Sequence, residues 1–357
     1  DVLVTLTGDV AKAYVAIREL QEELAITREN ISLQTQSLGI TKLRLKDGVT
    51  TELDVQEATI LLNNTKSLLP KLESDLAQAK NALSLLLGLP PIDIDPLLRP
   101  SRGVPRPPLD VAVGIPAQLL TRRPDIRAAE LRAQSRAAQI GVAKADLYPA
   151  FTVSGAIGLK SSDLVDLFQR RSITGVINPA VSWDILNYGR IRNNVRVQDA
   201  KYQEAITDFE QKVLSAYKEV EDALVGFAKA KEQALYLRRS VAASRRAVKI
   251  ATAQYRDGTA DYTRVLNSQQ ALLQSQAQLI TVRADIVNNL VAAYKALGGG
   301  WLPANFNGFI PDSVKEEMSA RTNWGRLLDP SAITPEERDL SQPPSPLPRL
   351  EKRLPDV

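Results

Sequence analysis

The side chains that could do chemistry in this chain are carboxylates, hydroxyls, amines and phenols, because its 357 residues contain no Cys and no His. Cysteine nucleophiles, zinc sites and histidine acid–base catalysis are therefore excluded for this chain. Among the remaining groups, the sequence shows no nucleophile–base pair, no phosphate-binding loop and no metal-ligand spacing. Only carboxylate, Ser/Lys or Tyr catalysis is left, and no constellation for it is present.

Two polar side chains stand out near glycine turns. Thr51-x-x-Asp54 has the spacing of a helix capping box, in which a hydroxyl and a carboxylate satisfy free backbone N–H groups. Tyr255 falls at an apolar heptad position, where a phenol ring packs in a core. The roles of these two residues depend on the elements that carry them.

Those elements are duplicated. Residues 3–98 align without a gap to residues 213–308, and the match places Asp47-Gly48 on Asp257-Gly258. A match of this kind indicates one structural unit used twice. Each unit is predicted to be a long helix, a short turn and a second long helix, with the glycine just beyond a helix end.

Apolar residues recur every seven positions along these helices, which predicts an antiparallel coiled coil with a left-handed supercoil. The first helices carry one line each: Val10, Ile17, Leu24, Ile31, Leu38 and Leu45, then Val220, Phe227, Ala234, Val241, Val248 and Tyr255. The second line extends back through Val213 and Ile206, and Phe209, Ala216, Ala223, Ala230 and Leu237 lie beside it. The return helices carry Val55, Leu62, Leu69, Leu76 and Leu83, then Val265, Leu272, Leu279 and Ile286.

The helix predicted from about Gly189 to Arg256 would be roughly 100 Å long at 1.5 Å per residue. No compact domain needs that length, whereas the wall of a rod or a tube does. Thr51 and Asp261 are the predicted N-caps of the return helices. Pro70 is expected to bend or locally break the first of them.

Between the two helical units the period changes from seven to two. Apolar residues alternate with small polar ones over residues 151–159 and 177–185, which predicts two strands of roughly ten residues and a charged loop over about 160–173. Strands of this length cross a bilayer when tilted. Tyr148 and Trp183 are predicted to lie at one end of this hairpin, where interfacial aromatic residues sit. The alternative is a half-buried β-ribbon packed on helices.

The chain is predicted to divide into six segments. They are a first helical hairpin (1–88), a proline-rich linker or equatorial region (89–123), a helix (124–147), the β-hairpin (148–186), a second helical hairpin (187–304) and an equatorial or disordered tail (305–357). The duplication further predicts a second short helix and strand hairpin before Asp1, about 85 residues in all. Because four strands cannot close a barrel, closure would need several subunits in a ring.

The charges exclude some function classes. The 45 Lys and Arg residues are interspersed with 41 Asp and Glu residues, a pattern typical of solvated helix faces rather than of a nucleic-acid interface. No run of 18 apolar residues occurs, so the sequence predicts no transmembrane helix.

Three stretches resemble a known family, the TolC-like outer-membrane efflux proteins, and within it the OprM/NodT-type branch. Residues 114–130, GIPAQLLTRRPDIRAAE, are similar to a signature of that branch, and residues 140–149, IGVAKADLYP, are similar to its passage from helix to strand. Residues 296–301, ALGGGW, resemble its usual ending. The resemblance covers the chain up to about residue 304.

The resemblance implies a homotrimer in the outer membrane of a Gram-negative cell, with a large periplasmic extension. Each protomer of such proteins gives four strands to a twelve-stranded barrel, and its hairpins form an α-barrel across the periplasm. The implied partners are a periplasmic adaptor, an inner-membrane efflux pump and outer-membrane lipids. The implied function is a passive exit duct for drugs or toxic solutes, with no enzyme activity and no cofactor. A lipid anchor of the lipoprotein branch would lie outside this chain.

The resemblance also assigns candidate site residues. The turns with Asp47, Gly48, Asp257 and Gly258 would face the adaptor and pump. The gate inside them would include Asp54, where the family has an aspartate, and Tyr255, where some members have its tyrosine partner. Thr263, Arg264 and Asn267 complete the gate set.

Two gate positions differ from the pattern of the family. Asn267 stands where relatives commonly have an aspartate, and Thr263 where the branch often has leucine. Three aspartates would form an acidic ring that favours cations, and three copies of Asn267 would not. This difference leaves cation selectivity open.

Two other function classes remain as alternatives. A soluble coiled-coil scaffold or adaptor would explain the heptads and the lack of catalytic residues, but it would not explain a period-two hairpin between two long helical units. An enzyme would need a constellation that the sequence does not contain.

Overall fold

The computed structural model describes residues 2–91, 94–98, 103–107, 123–160, 168, 170–299 and 312–323. Its elements are α1 (Val2–Lys46), α2 (Glu52–Leu86), α3 (Asp95–Leu98), α4 (Pro124–Ala145), β1 (Ala150–Leu159), β2 (Ile173–Ser182), α5 (Arg190–Arg256), α6 (Tyr262–Ala296) and α7 (Asp312–Arg321). A 3₁₀ turn, Arg170–Ser172, precedes β2. The fold is mainly helical with one two-stranded sheet, as the sequence predicts.

The helices divide between two compact units. The first comprises residues 1–123 and 215–340, and the second comprises residues 124–214 and 341–357. The first unit contains both helical hairpins, α1 with α2 and the later part of α5 with α6. The second unit contains α4, the β-ribbon and the first part of α5.

The long helix α5 matches its prediction closely. It begins at Arg190 and ends at Arg256, and it has 67 residues. The predicted heptad line on α5 is buried over its later part, at Val220, Phe227, Ala234, Val241, Val248 and Tyr255. Its predicted extension through Val213 and Ile206 is only half-buried. Part of this line packs against Val282, Ile286 and Leu290 of α6 in one apolar cluster. The seven-residue period of α5 therefore corresponds to a buried face.

In α1 the predicted heptad line is only partly correct. Ile17 and Leu24 are buried, but Ile31, Leu38 and Leu45 are half-buried. In the half of α1 that leads to the turn after Lys46, the buried face is instead polar, and its members are Thr27, Asn30, Gln34, Ser37 and Thr41. The reason is that α1 packs against α6 as well as α2. Where α6 offers the buried side chains of Gln269, Ser275 and Gln276, polar groups on α1 are the better match.

Of the buried amides along this polar contact between α1 and α6, which we call the polar seam, some are hydrogen-bonded and Gln34 is not. Asn30 Nδ2 donates to Gln276 Oε1 across the seam at 2.8 Å and also to the Ile26 carbonyl at 2.8 Å. One helical turn further on, Gln34 is 2% exposed, and neither atom of its amide has a hydrogen-bond partner among the described residues. A buried amide without partners costs free energy that an apolar side chain would not.

Replacing Gln34 by leucine is therefore expected to stabilise the protein. Removing an unsatisfied buried amide should raise the free energy of unfolding by about 1–2 kcal/mol. The measurement is thermal denaturation in detergent, followed by circular dichroism, with Gln36→Leu as the matched control because Gln36 is exposed on the same helix. A lower midpoint for Gln34→Leu than for the wild type would contradict the expectation.

The opposite end of the first unit is held by segments of the linker. Ile94 and Leu98 of the α3 segment pack against Ile17 and Leu83. Val104 packs with Val15 of α1 and with Ile280, Ala284 and Val287 of α6. The Arg18 guanidinium donates to the Leu98 carbonyl and lies 4.9 Å from the centre of the Tyr14 ring. The linker thus contacts both hairpins.

One ion pair fixes the second of these segments. Glu22 pairs with Arg283 Nη1, and its other oxygen accepts the Val104 N–H at 2.9 Å. Arg283 Nη2 donates to the Val104 carbonyl at 3.3 Å. Gly103 has φ +72°, and a Cβ there would lie 2.6 Å from Glu22 Oε2. Both backbone groups of Val104 are therefore bound to a charged pair that joins α1 to α6.

In the second unit the strands are ten residues each and pair antiparallel, with Ala150 opposite Ser182 and Leu159 opposite Ile173. The second strand begins at Ile173 rather than at the predicted residue 177, because Ile173 already pairs with Leu159. It ends at Ser182 rather than at the predicted Ile185, because the chain turns there, with the Ile185 N–H bonded to the Trp183 carbonyl at 3.0 Å. Helix α4 ends at Ala145 rather than at residue 147, and it buries Ile126, Ala129, Ala133, Ile140 and Ala143.

The remaining predictions have mixed outcomes. Thr51 and Asp261 are the N-cap residues of α2 and α6, but neither side chain makes a capping hydrogen bond. Helix α2 continues through Pro70 without a break. Helix α7 was not predicted. The predictions for residues 108–122, for most of the strand loop, for Gly300-Trp301 and for the tail beyond residue 323 lie outside the described residues.

Candidate functional site

The two turns that join the helices of each hairpin have the same backbone geometry. Gly48 has φ +71° and Gly258 has φ +75°, the left-handed conformation that glycine adopts without strain. In each turn a 3.0–3.1 Å bond from the glycine N–H and a second bond from the next residue close the helix end. The predicted turn residues Asp47, Gly48, Asp257 and Gly258 therefore lie where the repeat places them.

At these turns four helices contribute to one buried cluster. Its buried members are Ala58 of α2, Ala251 and Tyr255 of α5, and Tyr262 and Val265 of α6, with Leu38 and Ile40 of α1 packed against them. We call these residues the tip cluster. Tyr255 is 2% exposed and Tyr262 is 1% exposed. The two rings meet edge to face at 5.3 Å between centroids and 68° between planes.

The tip cluster brings Asp54 and Tyr255 together. The Tyr255 hydroxyl lies 3.5 Å from Asp54 Oδ2 and 3.4 Å from Thr50 Oγ1, and the Thr50 hydroxyl donates to the same Asp54 oxygen. A phenol has one proton, so it donates to one of these acceptors at a time. At 3.5 Å the bond to Asp54 is long and weak. The geometry links the start of α2 to the end of α5.

Arg44 is a member of this site that sequence reasoning missed. Its Nη1 donates to the Tyr255 carbonyl at 2.6 Å and to the Arg256 carbonyl at 3.0 Å, and its guanidinium lies 4.8 Å from the centre of the Tyr255 ring. The last carbonyls of α5 have no partner within their own helix, and a cation there also complements the helix dipole. The one sequence signal was that Gln254 replaces this arginine in the second copy.

Burial also affects Tyr262. Loss of hydration raises the pKa of its phenol above the usual value, and a hydrogen bond with Ser37 acts in the opposite direction. The Tyr262 hydroxyl therefore stays protonated at neutral pH and remains available as a donor in the tip cluster.

The other predicted gate residues lie apart from the Asp54–Tyr255 contact. Tyr262 and Val265 are buried in the tip cluster, whereas Thr263, Arg264 and Asn267 are exposed on the remaining face of α6. The structure does not bring these three residues together with Asp54. They belong to a surface that this chain leaves uncovered.

The β-ribbon is a second candidate site. On one face Phe151, Val153, Ile157, Ile177 and Val181 are 64–88% exposed. On the other face the residues are mostly small or polar, such as Thr152, Ser154 and Asn178. Tyr148 is 70% exposed and Trp183 is 54% exposed, and Trp183 Nε1 donates to the Leu147 carbonyl at 3.0 Å. An apolar face of this size requires a partner that is not water.

No described part of the chain offers a metal site, since no group of three metal-binding side chains is found there. Within the same described ranges, none of the helices is both long and apolar enough to cross a membrane.

Comparison with known proteins shows to which family this chain belongs. The family model described as outer membrane efflux protein matches residues 1–89 and 115–299. The chain belongs to this family. Membership places it in the outer membrane of Gram-negative bacteria, and the relatives that it matches are described as efflux proteins.

Individual relatives agree with this assignment. The solvent efflux pump outer membrane protein SrpC of Pseudomonas putida is 33% identical over 304 residues, which are 84% of this chain and 63% of SrpC. The cation efflux system protein CusC of Escherichia coli O6:H1 is 30% identical over 305 residues, 84% of this chain and 64% of CusC. The solved structure of the outer-membrane channel OprN matches with a TM-score of 0.78 and 32% identity, covering 84% of this chain and 67% of OprN. The chain thus spans less than two thirds of the length of these two curated relatives.

Proposed function

We propose that this chain is part of the outer-membrane exit duct of a tripartite efflux system. The protein would be a homotrimer whose strand hairpins close a twelve-stranded barrel and whose helical hairpins form an α-barrel tunnel. A periplasmic adaptor and an inner-membrane pump would deliver solutes, which then pass through the duct without further energy input. In this proposal the segments 1–88 and 187–304 form the α-barrel and the segment 148–186 contributes to the β-barrel. The segments 89–123 and 305–357 lie at the equatorial region, and the helix 124–147 leads into the β-hairpin.

The observation that carries the proposal is the β-ribbon. Its apolar face is exposed along both strands in the single chain, and its other face is small and polar. Lipid on one side and a water-filled lumen on the other require this alternation. Tyr148 and Trp183 at one end of the ribbon fit a membrane–water interface. The names of relatives such as SrpC and CusC, which describe efflux, agree with it.

The test of this function uses the intact gene product. We expect it to fractionate with the outer membrane, to run as a trimer in detergent and to form water-filled pores in a planar bilayer. We also expect that deleting the gene makes the cell more sensitive to toxic solutes. A soluble monomer that forms no pores would overturn the proposal.

Closure of the duct is assigned to the helix tips. In the proposed closed state the Asp54–Tyr255 contact, the Thr50 bond and the Arg44 cap hold the hairpins together at the turns. Opening would separate α2 from the end of α5 and expose the tip cluster to water. Asp47, Gly48, Asp257 and Gly258 would then be the contact points for the adaptor and pump, and Thr263, Arg264 and Asn267 would line the opening.

Removing the carboxylate tests the gate. Asp54→Ala deletes the acceptor of both the Thr50 and the Tyr255 hydroxyl and is expected to favour the open state by about 1 kcal/mol per subunit, roughly fivefold in population. The measurement is the open probability of single channels in a planar bilayer, and Tyr255→Phe should change it in the same direction.

The matched control is Glu52→Ala. Glu52 is an exposed carboxylate on the first turn of the same helix, and it accepts a 3.4 Å hydrogen bond from Gln56 on its own helix. We expect its open probability to equal that of the wild type. If Asp54→Ala and Tyr255→Phe also keep the wild-type value, the assignment of the gate is wrong.

A further inference from the structure

The positive charge of this chain is concentrated in one part of the second hairpin. Residues 233–282, which end α5 and begin α6, contain seven Arg and Lys residues and two aspartates, a formal net charge of +5. The whole chain has a net charge of +4. The corresponding positions of the first copy, residues 23–72, contain six basic and six acidic residues and have no net charge. The duplication therefore provides an internal reference, and the excess charge is specific to the second hairpin.

On α5 four of the six basic residues in this range form two pairs of arginines. Arg238-Arg239 and Arg245-Arg246 are seven residues apart, so they lie on one side of the helix, about 10 Å from each other. All four side chains are exposed, and no carboxylate occurs on α5 between Glu232 and its end at Arg256. Arg245 lies 4.0 Å from Glu29 of α1. The other three have no ion-pair partner within 4.0 Å among the described residues.

On α6 the exposed face near the turn is uncharged except for one arginine. Its exposed members are Thr263, Arg264, Asn267, Gln270, Gln274 and Gln278. No carboxylate occurs on α6 before Asp285. In the first copy, Asp54 takes the place of Arg264. The tip-proximal half of the second hairpin thus presents amides, hydroxyls and cations to its surroundings, and carboxylates only in the turn.

We propose that this surface makes the periplasmic entrance of the duct favour anions, so that the transported solutes are small organic or inorganic anions. The inference depends on the duct proposed above, since three copies of the hairpin tip would then surround one aqueous opening. Arg264 is the specificity-determining residue, because it is the charged group on the exposed face of α6 closest to the turn. The arginine pairs of α5 extend the positive potential along the hairpin.

The effect of Arg264 on ions depends on how far its electric field reaches into the opening. At physiological ionic strength the screening length is about 8 Å, so the three Arg264 side chains act together only where the opening is narrow. Clefts lined by charge of one sign raise the local concentration of the opposite ion. Because position 267 is an asparagine and not an aspartate, the exposed face of α6 before Asp285 carries no negative charge that would cancel this effect.

The test is the reversal potential of single channels formed by the intact gene product under a KCl gradient. We expect chloride to be more permeant than potassium. Arg264→Gln should lower the chloride-to-potassium permeability ratio about threefold, the change in local anion concentration for a potential of about kT. The combined Arg238→Gln and Arg239→Gln variant should lower it by a smaller factor.

The matched control is Lys66→Gln, which removes one exposed positive charge from the first hairpin and should leave the ratio unchanged. Open channels that prefer potassium, or a ratio that Arg264→Gln does not change, would overturn this inference while leaving the duct in place. If the arginine variants change only the salt dependence of adaptor binding, the surface binds an acidic protein and the inference fails. Absence of any conductance would overturn the proposed function itself.

Discussion

Replacing Val153 by arginine is expected to keep the protein from assembling in the outer membrane. Val153 lies opposite Pro179 on the apolar face of the β-ribbon and is 75% exposed in the single chain. If that face meets lipid, an arginine in its middle costs about 2–4 kcal/mol per strand, or about 6–12 kcal/mol for a trimer. The measurement is the amount of heat-resistant trimer in purified outer membranes.

The matched control for this experiment is the next residue along the same strand. Ser154 points to the opposite face of the ribbon, because successive side chains alternate. Ser154→Arg should give close to wild-type amounts of trimer, since a lumen accepts a charge. Equal losses from both substitutions would show that the two faces of the ribbon do not differ in their surroundings, and the assignment of one face to lipid would be wrong.

Replacing Glu22 by alanine is expected to release the linker from the helical hairpins. The substitution leaves Arg283 without its carboxylate and the Val104 N–H without its acceptor. Breaking a buried ion pair costs about 3–5 kcal/mol, and the two side chains here are 22–23% exposed, so we expect a loss of about 2–4 kcal/mol. The measurements are the thermal midpoint and the rate of hydrogen exchange at the Val104 amide, which loses its acceptor.

The control is Glu29→Ala, which removes a carboxylate from the same helix. Glu29 lies 4.0 Å from Arg245, and both side chains are more than half exposed. Such surface pairs contribute about 0–1 kcal/mol. We expect no change in hydrogen exchange at the Val104 amide. If Glu22→Ala also keeps the wild-type exchange rate, apolar packing of Val104 alone holds the linker and the expectation is wrong.

The elements that the sequence predicts well are those with a long, uniform period. In the later half of helix α5, residues seven positions apart are buried along one line. The helix begins at Arg190, one residue from the predicted start. The β-ribbon was equally clear, because its period of two contrasts with the helices on either side. The second strand was predicted over residues 177–185 but spans Ile173–Ser182, so both of its ends lie earlier than predicted. Trp183 and Ile185 continue the alternation after the pairing ends.

The features that the sequence did not predict depend on partners far away in the chain. Arg44 binds carbonyls about 210 residues later, and Glu22 binds Arg283, 261 residues later. The polar face of α1 follows from the amides on α6 and not from any period of its own. In each case the residues nearby in the sequence were compatible with a solvated helix surface, and packing against a distant helix determined which side chains are buried or bonded.

The polar seam between α1 and α6 makes the two ends of the first unit unequal in their resistance to water. Separating an apolar contact, such as that of Val15 with Ile280 and Ala284, loses about 25 cal/mol for each Å² that becomes wet. Where Asn30 meets Gln276, entering water replaces the hydrogen bonds that it breaks. Separation of the hairpins from their turns must therefore expose the apolar tip cluster, but the polar seam beyond it adds little further cost, whereas the end that carries the linker resists wetting.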